Sequence, residues 1–143
     1  MEQSASAVWN GALRDGKGSI ATQSGILSEA PYSFVTRFEN RKGTNPEELI
    51  AATYAGCFTM ALAAQLGTMQ FTPETLRTTV MVTLEKLEAG WTISKINLDV
   101  SARLRGISAA AFEAAAVGAK ETCPVSRLLK ADISMTAKLE QAA

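Results

Sequence analysis

A helix start at residues 45–48 and the uncharged segment after it constrain the fold more than any other feature. The four residues read Asn-Pro-Glu-Glu: a good N-cap, a proline at the first helical position and two carboxylates where the helix dipole favours them. No charged residue occurs in residues 49–73. We therefore expect a helix over residues 46–66, ended by Gly67.

Apolar or small residues occupy nearly every position of this helix, so every face needs cover from water. One layer of sheet in a chain of 143 residues can hardly supply that cover alone. We therefore infer a homodimer in which a second subunit covers the rest. The segment is long enough for a membrane span, but residues 49–62 are rich in alanine, only modestly hydrophobic and without basic flanks, so we expect no membrane insertion.

Alternating patterns predict strands on both sides of the helix. Residues 6–13 and 18–24, joined through an Asp-Gly turn, predict a hairpin, and residues 33–39 predict a third strand that carries Arg37. After the helix, the pattern predicts two long strands, two helices and a final strand, at residues 75–88, 91–104, 108–120, 123–129 and 132–140.

Within residues 91–104 the apolar side chains change from odd-numbered to even-numbered positions, and this change predicts a bulge near Ser94 and Lys95. The complete order is three strands, one helix, two strands, two helices and a strand, with most strands adjacent as hairpins. This order predicts one α+β domain over residues 1–143 and not a doubly wound sheet.

Charge and composition exclude several functions. The chain has 14 Lys plus Arg, 14 Asp plus Glu and no histidine. Balanced charge removes the usual electrostatic basis for nucleic-acid binding, and the missing imidazole excludes a Ser-His-Asp triad, a Cys-His dyad and a histidine metal site. The first residues lack a basic region followed by an apolar stretch, so we expect no secretory signal and a cytoplasmic protein.

The two cysteines, Cys57 and Cys123, fit neither a Cys-x-x-Cys redox turn nor a four-thiolate zinc site. Cys57 lies in the middle of the apolar helix, where the helix dipole can do little for its thiol. It is either a small buried hydrophobe or a reactive thiol with another source of positive charge. Cys123 precedes Pro124 at a helix start, where unpaired amides favour a thiolate; otherwise it is an ordinary thiol at a helix boundary.

Arg37 and Glu47 also have two interpretations. An arginine on a strand is commonly a solvated edge residue, and a first-turn carboxylate stabilises its helix by about 0.3 to 1 kcal/mol. Alternatively, both side chains belong to a site with the cysteines. The residue types alone leave this choice open.

Four segments carry a further signal: residues 31–39 (PYSFVTRFE), 43–52 (GTNPEELIAA), 55–62 (AGCFTMAL) and 123–126 (CPVS), the last followed by LLKA. Together they closely resemble the osmotically inducible protein C (OsmC) family of peroxidases. The order of elements agrees, so the resemblance covers nearly the whole chain. The CPVS and TRFE segments are closer to the OsmC branch than to the organic hydroperoxide resistance (Ohr) branch.

The resemblance implies a thiol-dependent peroxidase, without metal, haem or flavin, that acts in oxidative and osmotic stress defence. Its substrates would be organic hydroperoxides and, less efficiently, hydrogen peroxide, with an external dithiol as reductant. By matching motif positions, Cys57 would be the peroxidatic cysteine and Cys123 the resolving cysteine. Arg37 and Glu47 would activate the thiol and orient the peroxide.

The implied fold is α+β and OsmC-like: antiparallel sheets wrapped around a long buried central helix in an intertwined homodimer. In one straight helix, Glu47 and Cys57 would lie about 15 Å apart along the axis, too far to share one arginine. Either the helix bends or Glu47 comes from the partner subunit, and the family's dimer agrees with the second option.

Tyr54 departs from the family pattern, because the OsmC branch often has histidine three residues before the first cysteine. The resemblance implies that this change affects substrate or packing more than activity. Several apolar side chains would favour organic peroxides if they line the site, although such residues are more often core: Phe38, Tyr54, Phe58 and Met60.

Two other functions remain open from the residues. The first is a binding or structural dimer with incidental thiols, which a neutral chain with a large apolar helix also suits. The second is a general thiol-disulfide exchanger, which we rank lower because the cysteines are not in a Cys-x-x-Cys turn.

Overall fold

The computed structural model describes residues 1–141 and has the predicted α+β composition. The chain forms two compact units, which we call the N-terminal unit (Met1–Leu49) and the C-terminal unit (from Ile50 onward). The prediction of a single domain over residues 1–143 stays a prediction.

The N-terminal unit contains a three-stranded antiparallel sheet of β1 (Ala5–Asn10), β2 (Lys17–Thr22) and β3 (Ala30–Tyr32), in that order. The predicted hairpin is thus confirmed as β1 and β2. Gly18 lies opposite Trp9 on one side and Tyr32 on the other, and these two rings are 5.5 Å apart. A Cβ atom at Gly18 would collide with both rings, so this position requires glycine.

The prediction of a third strand over residues 33–39 is wrong, because Phe34–Phe38 forms a short helix, α1. A capping box starts it: the Thr36 N–H donates to the Ser33 hydroxyl, and the Ser33 N–H donates to the Thr36 hydroxyl. Phe34 and Phe38 are four residues apart and therefore share a helix face, with ring centroids 4.8 Å apart. Arg37 accordingly lies on a helix and not on a strand.

Helix α2 (Pro46–Thr68) begins at the predicted residue and ends close to the predicted stop. The remaining elements agree with the predicted ranges to within about two residues. They are β4 (Thr75–Leu87), β5 (Gly90–Leu104), α3 (Ala109–Thr122), α4 (Pro124–Leu128) and β6 (Asp132–Gln141).

In the C-terminal unit the strand order is β4-β5-β6. The predicted bulge is confirmed, since Thr83 pairs with Lys95 and Leu84 with Ile93, which leaves Ser94 as the extra residue. β6 differs from the expected antiparallel arrangement because it pairs with β5 in parallel. The chain returns to the starting end of β5 through α3 and α4, and such a crossover produces a parallel pair.

One face of α2 lies in the core of the C-terminal unit. Its side chains Tyr54, Phe58, Leu62 and Leu66 are fully buried. They share one cluster with the alternating residues of β5 and the buried face of α3, namely Ile96, Leu98, Val100, Ala102, Leu104, Phe112, Ala115, Ala116 and Ala119. The alternate residues of β5 that the sequence pattern predicted to face the core are therefore buried in the structure.

A second face of α2 is exposed in the single chain. We call it the small-residue stripe, and its members recur every three or four positions: Ala52, Gly56, Met60, Ala63 and Gly67. Within residues 1–141, α2 is the one helix long and apolar enough to cross a membrane by length and composition. Its buried face shows the packing expected of a core helix.

Candidate active site

Arg37 and Glu47 form an ion pair within the N-terminal unit. The Arg37 Nη2 donates to Glu47 Oε1 at 2.7 Å, and its Nε lies 3.2 Å from both carboxylate oxygens. The Glu47 side chain is 10% exposed and that of Arg37 is 38% exposed. The buried carboxylate therefore fixes one edge of the guanidinium and leaves the other edge free for a ligand.

A single capping residue positions this ion pair. The Asn45 side-chain oxygen accepts from the Glu48 N–H at 2.8 Å and so starts α2. The Asn45 amide also donates to the carbonyl of Thr36 at 3.3 Å, on α1. Because Arg37 follows Thr36 and Glu47 precedes Glu48, one asparagine holds both partners in place.

Arg37 borders an aromatic cavity in the N-terminal unit. The Phe38 ring centroid lies 5.3 Å from the guanidinium carbon, within range of a cation-π contact. The cavity has a volume of about 320 Å³ and its wall is mainly apolar: Trp9, Leu13, Tyr32, Ser33, Phe34, Arg37 and Phe38. We call it the aromatic cavity.

The two cysteines meet within the C-terminal unit, although they are 66 residues apart in the sequence. Cys57 lies in the middle of α2, and Cys123 occupies the N-cap position of α4. Both are free thiols, and their sulfur atoms are 3.0 Å apart. Cys123 is fully buried, whereas Cys57 is half-buried and has access to solvent.

Within one chain, burial raises the pKa of the Cys57 thiol, and the neighbouring Cys123 raises it further. A hydrogen bond from the backbone N–H of Val125 lowers the pKa and only partly offsets these effects. The backbone N–H of Val125, at the start of α4, thus stabilises a thiolate on Cys57. The sequence predicted instead that such amides would stabilise a thiolate on Cys123. Cys57 needs a further positive charge to ionise readily near neutral pH.

The structure joins two side chains beside the thiols that the sequence analysis did not connect with each other. The Tyr54 and Ser126 hydroxyls form a hydrogen bond between α2 and α4, next to the two thiols. Burial raises the pKa of Tyr54, the bond to Ser126 lowers it, and both cysteines contribute a smaller increase. The sequence contains one indication that these residues belong near the thiols, which is their spacing from the cysteines. Tyr54 lies three residues before Cys57, and Ser126 lies three residues after Cys123.

The apolar residues expected to line the site have different environments. Phe38 lines the aromatic cavity beside Arg37. Tyr54 and Phe58 are fully buried in the core, and Met60 is 76% exposed on the small-residue stripe. Among residues 1–141, no group of three or more cysteine, aspartate or glutamate side chains is arranged to hold a metal ion.

The fold and the two clusters define a class: an α+β protein with a redox-capable pair of free thiols and a guanidinium held by a buried carboxylate. The family model for OsmC-like proteins matches residues 39–138. The chain therefore belongs to the OsmC-like family, within the wider group that includes the Ohr proteins.

Three known proteins illustrate this relationship. The chain is 48% identical to peroxiredoxin OsmC of Escherichia coli (strain K12) over 134 residues, 94% of each chain. It is 35% identical to the organic hydroperoxide resistance protein OhrA of Bacillus subtilis (strain 168) over 100 residues, 70% of each chain. A solved structure of an organic hydroperoxide resistance protein OsmC from Legionella pneumophila matches with a TM-score of 0.68 at 25% identity, over 96% of both chains.

Proposed function

We propose that the protein is a cysteine-based peroxidase that reduces organic hydroperoxides in stress defence. The observation that carries the proposal is the pair of free thiols, with Cys57 Sγ and Cys123 Sγ 3.0 Å apart and Cys57 open to solvent. The names of its relatives, a peroxiredoxin and an organic hydroperoxide resistance protein, support the same chemistry.

The cycle has three steps. The Cys57 thiolate attacks the terminal peroxide oxygen, the O–O bond breaks, and the products are an alcohol and a sulfenic acid on Cys57. The Cys123 sulfur then attacks the Cys57 sulfur, and the hydroxyl leaves as water with the thiol proton, which gives a disulfide. An external dithiol reduces this disulfide by exchange and restores both thiols.

We assign to Arg37 the positive charge that lowers the pKa of Cys57. A guanidinium stays protonated, stabilises a neighbouring thiolate and can donate to the alkoxide that forms as the O–O bond breaks. Glu47 orients the guanidinium through the bonds described above. Because Glu47 and Cys57 are ten residues apart on α2, or about 15 Å along its axis, we assign the ion pair to the Cys57 of the other subunit.

This assignment requires a homodimer, and the small-residue stripe supports one. A Cβ atom added at Gly56 or Gly67 would meet nothing within 4 Å in the single chain. Small residues let two helix backbones approach closely, and a second copy of α2 would cover the stripe. The proposed dimer thus pairs the two central helices and places a Cys57 near the interface.

Hybrid dimers test whether the site is shared between subunits. In a mixture of Arg37→Met and Cys57→Ser chains, each hybrid dimer has one site with an intact Arg37 and an intact Cys57, provided that these come from different subunits. We expect each homodimer to be nearly inactive and the hybrid to recover about half of the activity. A hybrid as inactive as the homodimers would place Arg37 and Cys57 in one subunit.

The aromatic cavity suggests where the organic part of the substrate binds. Its apolar wall lies beside Arg37, so a hydroperoxide that interacts with the guanidinium would place its carbon skeleton against the rings of Trp9 and Phe38. Hydrogen peroxide has no such group and gains nothing from this wall. The reductant is a dithiol, and the reducing cytoplasm, where we place the protein, can keep such dithiols reduced.

Peroxide consumption with a panel of hydroperoxides and dithiols tests the function. We expect turnover of cumene and tert-butyl hydroperoxide, slower turnover of hydrogen peroxide and none in Cys57→Ser. A protein that binds hydroperoxides without losing thiols would instead be a binding or structural dimer. Reduction of a disulfide substrate without peroxide consumption would indicate a general thiol-disulfide exchanger.

A further inference from the structure

Two parallel side-chain contacts connect α2 to α4. The first is the contact between the sulfur atoms of Cys57 and Cys123. The second is the hydrogen bond between the hydroxyls of Tyr54 and Ser126, and each of these residues is three positions from a cysteine. Three positions is close to one helical turn, so Tyr54 lies on the same face of α2 as Cys57. Ser126 lies in the first turn of α4, directly after Cys123 at its N-cap.

Helix α4 is held to the core by its N-cap and by partly buried side chains: Cys123 is fully buried, and Val125 and Leu129 pack against the core cluster. It has five residues, none of which is buried, and Cys123 at its N-cap makes no side-chain capping bond. Tyr54, in contrast, is fully buried on α2, and its ring packs edge-to-face against Phe58 with centroids 6.5 Å apart. The hydrogen bond therefore adds a polar contact between this short helix and the buried face of α2.

After Cys57 is oxidised, disulfide formation depends on the position of Cys123 at the start of α4. The sulfenic acid adds an oxygen atom next to Cys123, where the two sulfurs already lie 3.0 Å apart. Disulfide formation then requires the sulfurs to approach to about 2.0 Å, while the hydroxyl leaves as water. If α4 moved away instead, the sulfenic acid would survive long enough to meet a second peroxide, which converts it to a sulfinic acid.

We propose that Tyr54 and Ser126 are positioning residues for the resolving step: their hydrogen bond holds Cys123 beside oxidised Cys57 and so protects Cys57 from overoxidation. This proposal rests on the proposed peroxidase function, because it assigns the pair to the second step of that cycle. Neither hydroxyl takes part in the attack on the peroxide. Loss of either one should therefore slow disulfide formation and leave the first oxidation unchanged.

The variants Tyr54→Phe and Ser126→Ala each delete one hydroxyl and little else. Tyr54→Phe keeps the buried ring, and Ser126 is only half-buried, so both chains should fold. Ser126→Thr retains the hydroxyl and tests for rescue. The matched control is Thr59→Val, because the Thr59 hydroxyl joins α2 to Thr78 of β4 at 2.8 Å and makes its other hydrogen bond to the carbonyl of Ala55.

The experiment mixes the reduced protein with one equivalent of cumene hydroperoxide and follows two products by quenching and mass spectrometry. Cumyl alcohol reports the first oxidation, and the Cys57–Cys123 disulfide reports resolution. For Tyr54→Phe and Ser126→Ala we expect alcohol formation within about twofold of wild type and disulfide formation slower by about 3- to 10-fold, as for the loss of one hydrogen bond. Excess peroxide should then produce more Cys57 sulfinic acid than in wild type.

Three further comparisons make the result decisive. Because the two hydroxyls act as one unit, the double variant should be no slower than either single variant. Ser126→Thr and Thr59→Val should resolve at the wild-type rate. Disulfide formation at the wild-type rate in Tyr54→Phe, without extra sulfinic acid, would overturn the positioning role. A wild-type protein that forms no alcohol would instead overturn the proposed function.

Discussion

Replacement of Arg37 by methionine should make Cys57 a much weaker nucleophile at neutral pH. Burial and Cys123 raise the pKa of Cys57 above its ordinary value. A thiol with the ordinary pKa of about 8.5 is only about 3% thiolate at pH 7, and Cys57 without a guanidinium would be less ionised than that. An adjacent opposite charge commonly lowers a pKa by about 1 to 3, so Arg37→Met should reduce the thiolate at pH 7 by at least about tenfold.

The assay is iodoacetamide alkylation of Cys57 from pH 5 to 10, in a Cys123→Ser background so that one thiol reacts. A lower pKa keeps the thiolate present at lower pH, so the midpoint of the wild-type profile should lie below that of Arg37→Met. The two rates should converge at alkaline pH, where both thiols are ionised. The difference between the two midpoints gives the pKa difference directly.

Arg41→Met is the matched control, because it removes the same charge from an exposed position of the same unit. Its alkylation profile should coincide with that of the Cys123→Ser background. Coincidence of the Arg37→Met profile with that background would refute the reasoning. The source of positive charge would then have to be another cation of the N-terminal unit, with Arg14 as the next candidate, since it already lies 5.1 Å from the Phe34 ring centroid.

Three other predictions concern the ion pair, the core and the dimer. Glu47→Gln should slow peroxide reduction less than Arg37→Met does, because glutamine still accepts one hydrogen bond from the guanidinium, and stopped-flow consumption measures the difference. Leu62→Ala, which opens a cavity in the core, should lower the free energy of unfolding by about 2 to 5 kcal/mol in urea denaturation; an unchanged midpoint would place Leu62 outside the core. Thermal stability should rise with protein concentration, and sedimentation should give twice the 15.2 kDa of one chain. An active species of one chain would contradict the dimer.

The sequence predicted those elements whose signals are local and consistent. The start of α2 follows from a cap, a proline and two carboxylates within four residues, and the alternation of β5 reports its burial directly. The bulge at Ser94 was visible as a change of parity. Each of these signals depends on neighbours in the chain and not on distant contacts.

Residues 33–39 show where such signals fail. A spacing of four between Phe34 and Phe38 fits one face of a strand as well as one face of a helix, so the alternation could not decide between them. The capping box of Ser33 and Thr36 decides it in the structure. The direction of β6 relative to β5 could not be predicted for another reason. An alternating pattern shows which side chains share a face of a strand but not in which direction the strand runs.

The site depends on contacts that a single sequence does not specify. The cysteines are 66 residues apart, and resemblance to the OsmC family suggested their pairing where their spacing did not. The Tyr54–Ser126 bond joins residues that are 72 positions apart and was missed, although both are close to a cysteine. Long-range contacts of this kind follow from how α4 packs on α2, which no local pattern describes.

The most direct test of the central claim is a single-turnover measurement on the two cysteine variants. Cys123→Ser should consume one equivalent of cumene hydroperoxide per chain and hold a Cys57 sulfenic acid that dimedone traps, because attack precedes resolution. Cys57→Ser should consume none, and the wild-type protein should end with a Cys57–Cys123 disulfide. Equal consumption by both variants, or loss of the first turnover in both, would contradict the assignment of attack to Cys57 and resolution to Cys123.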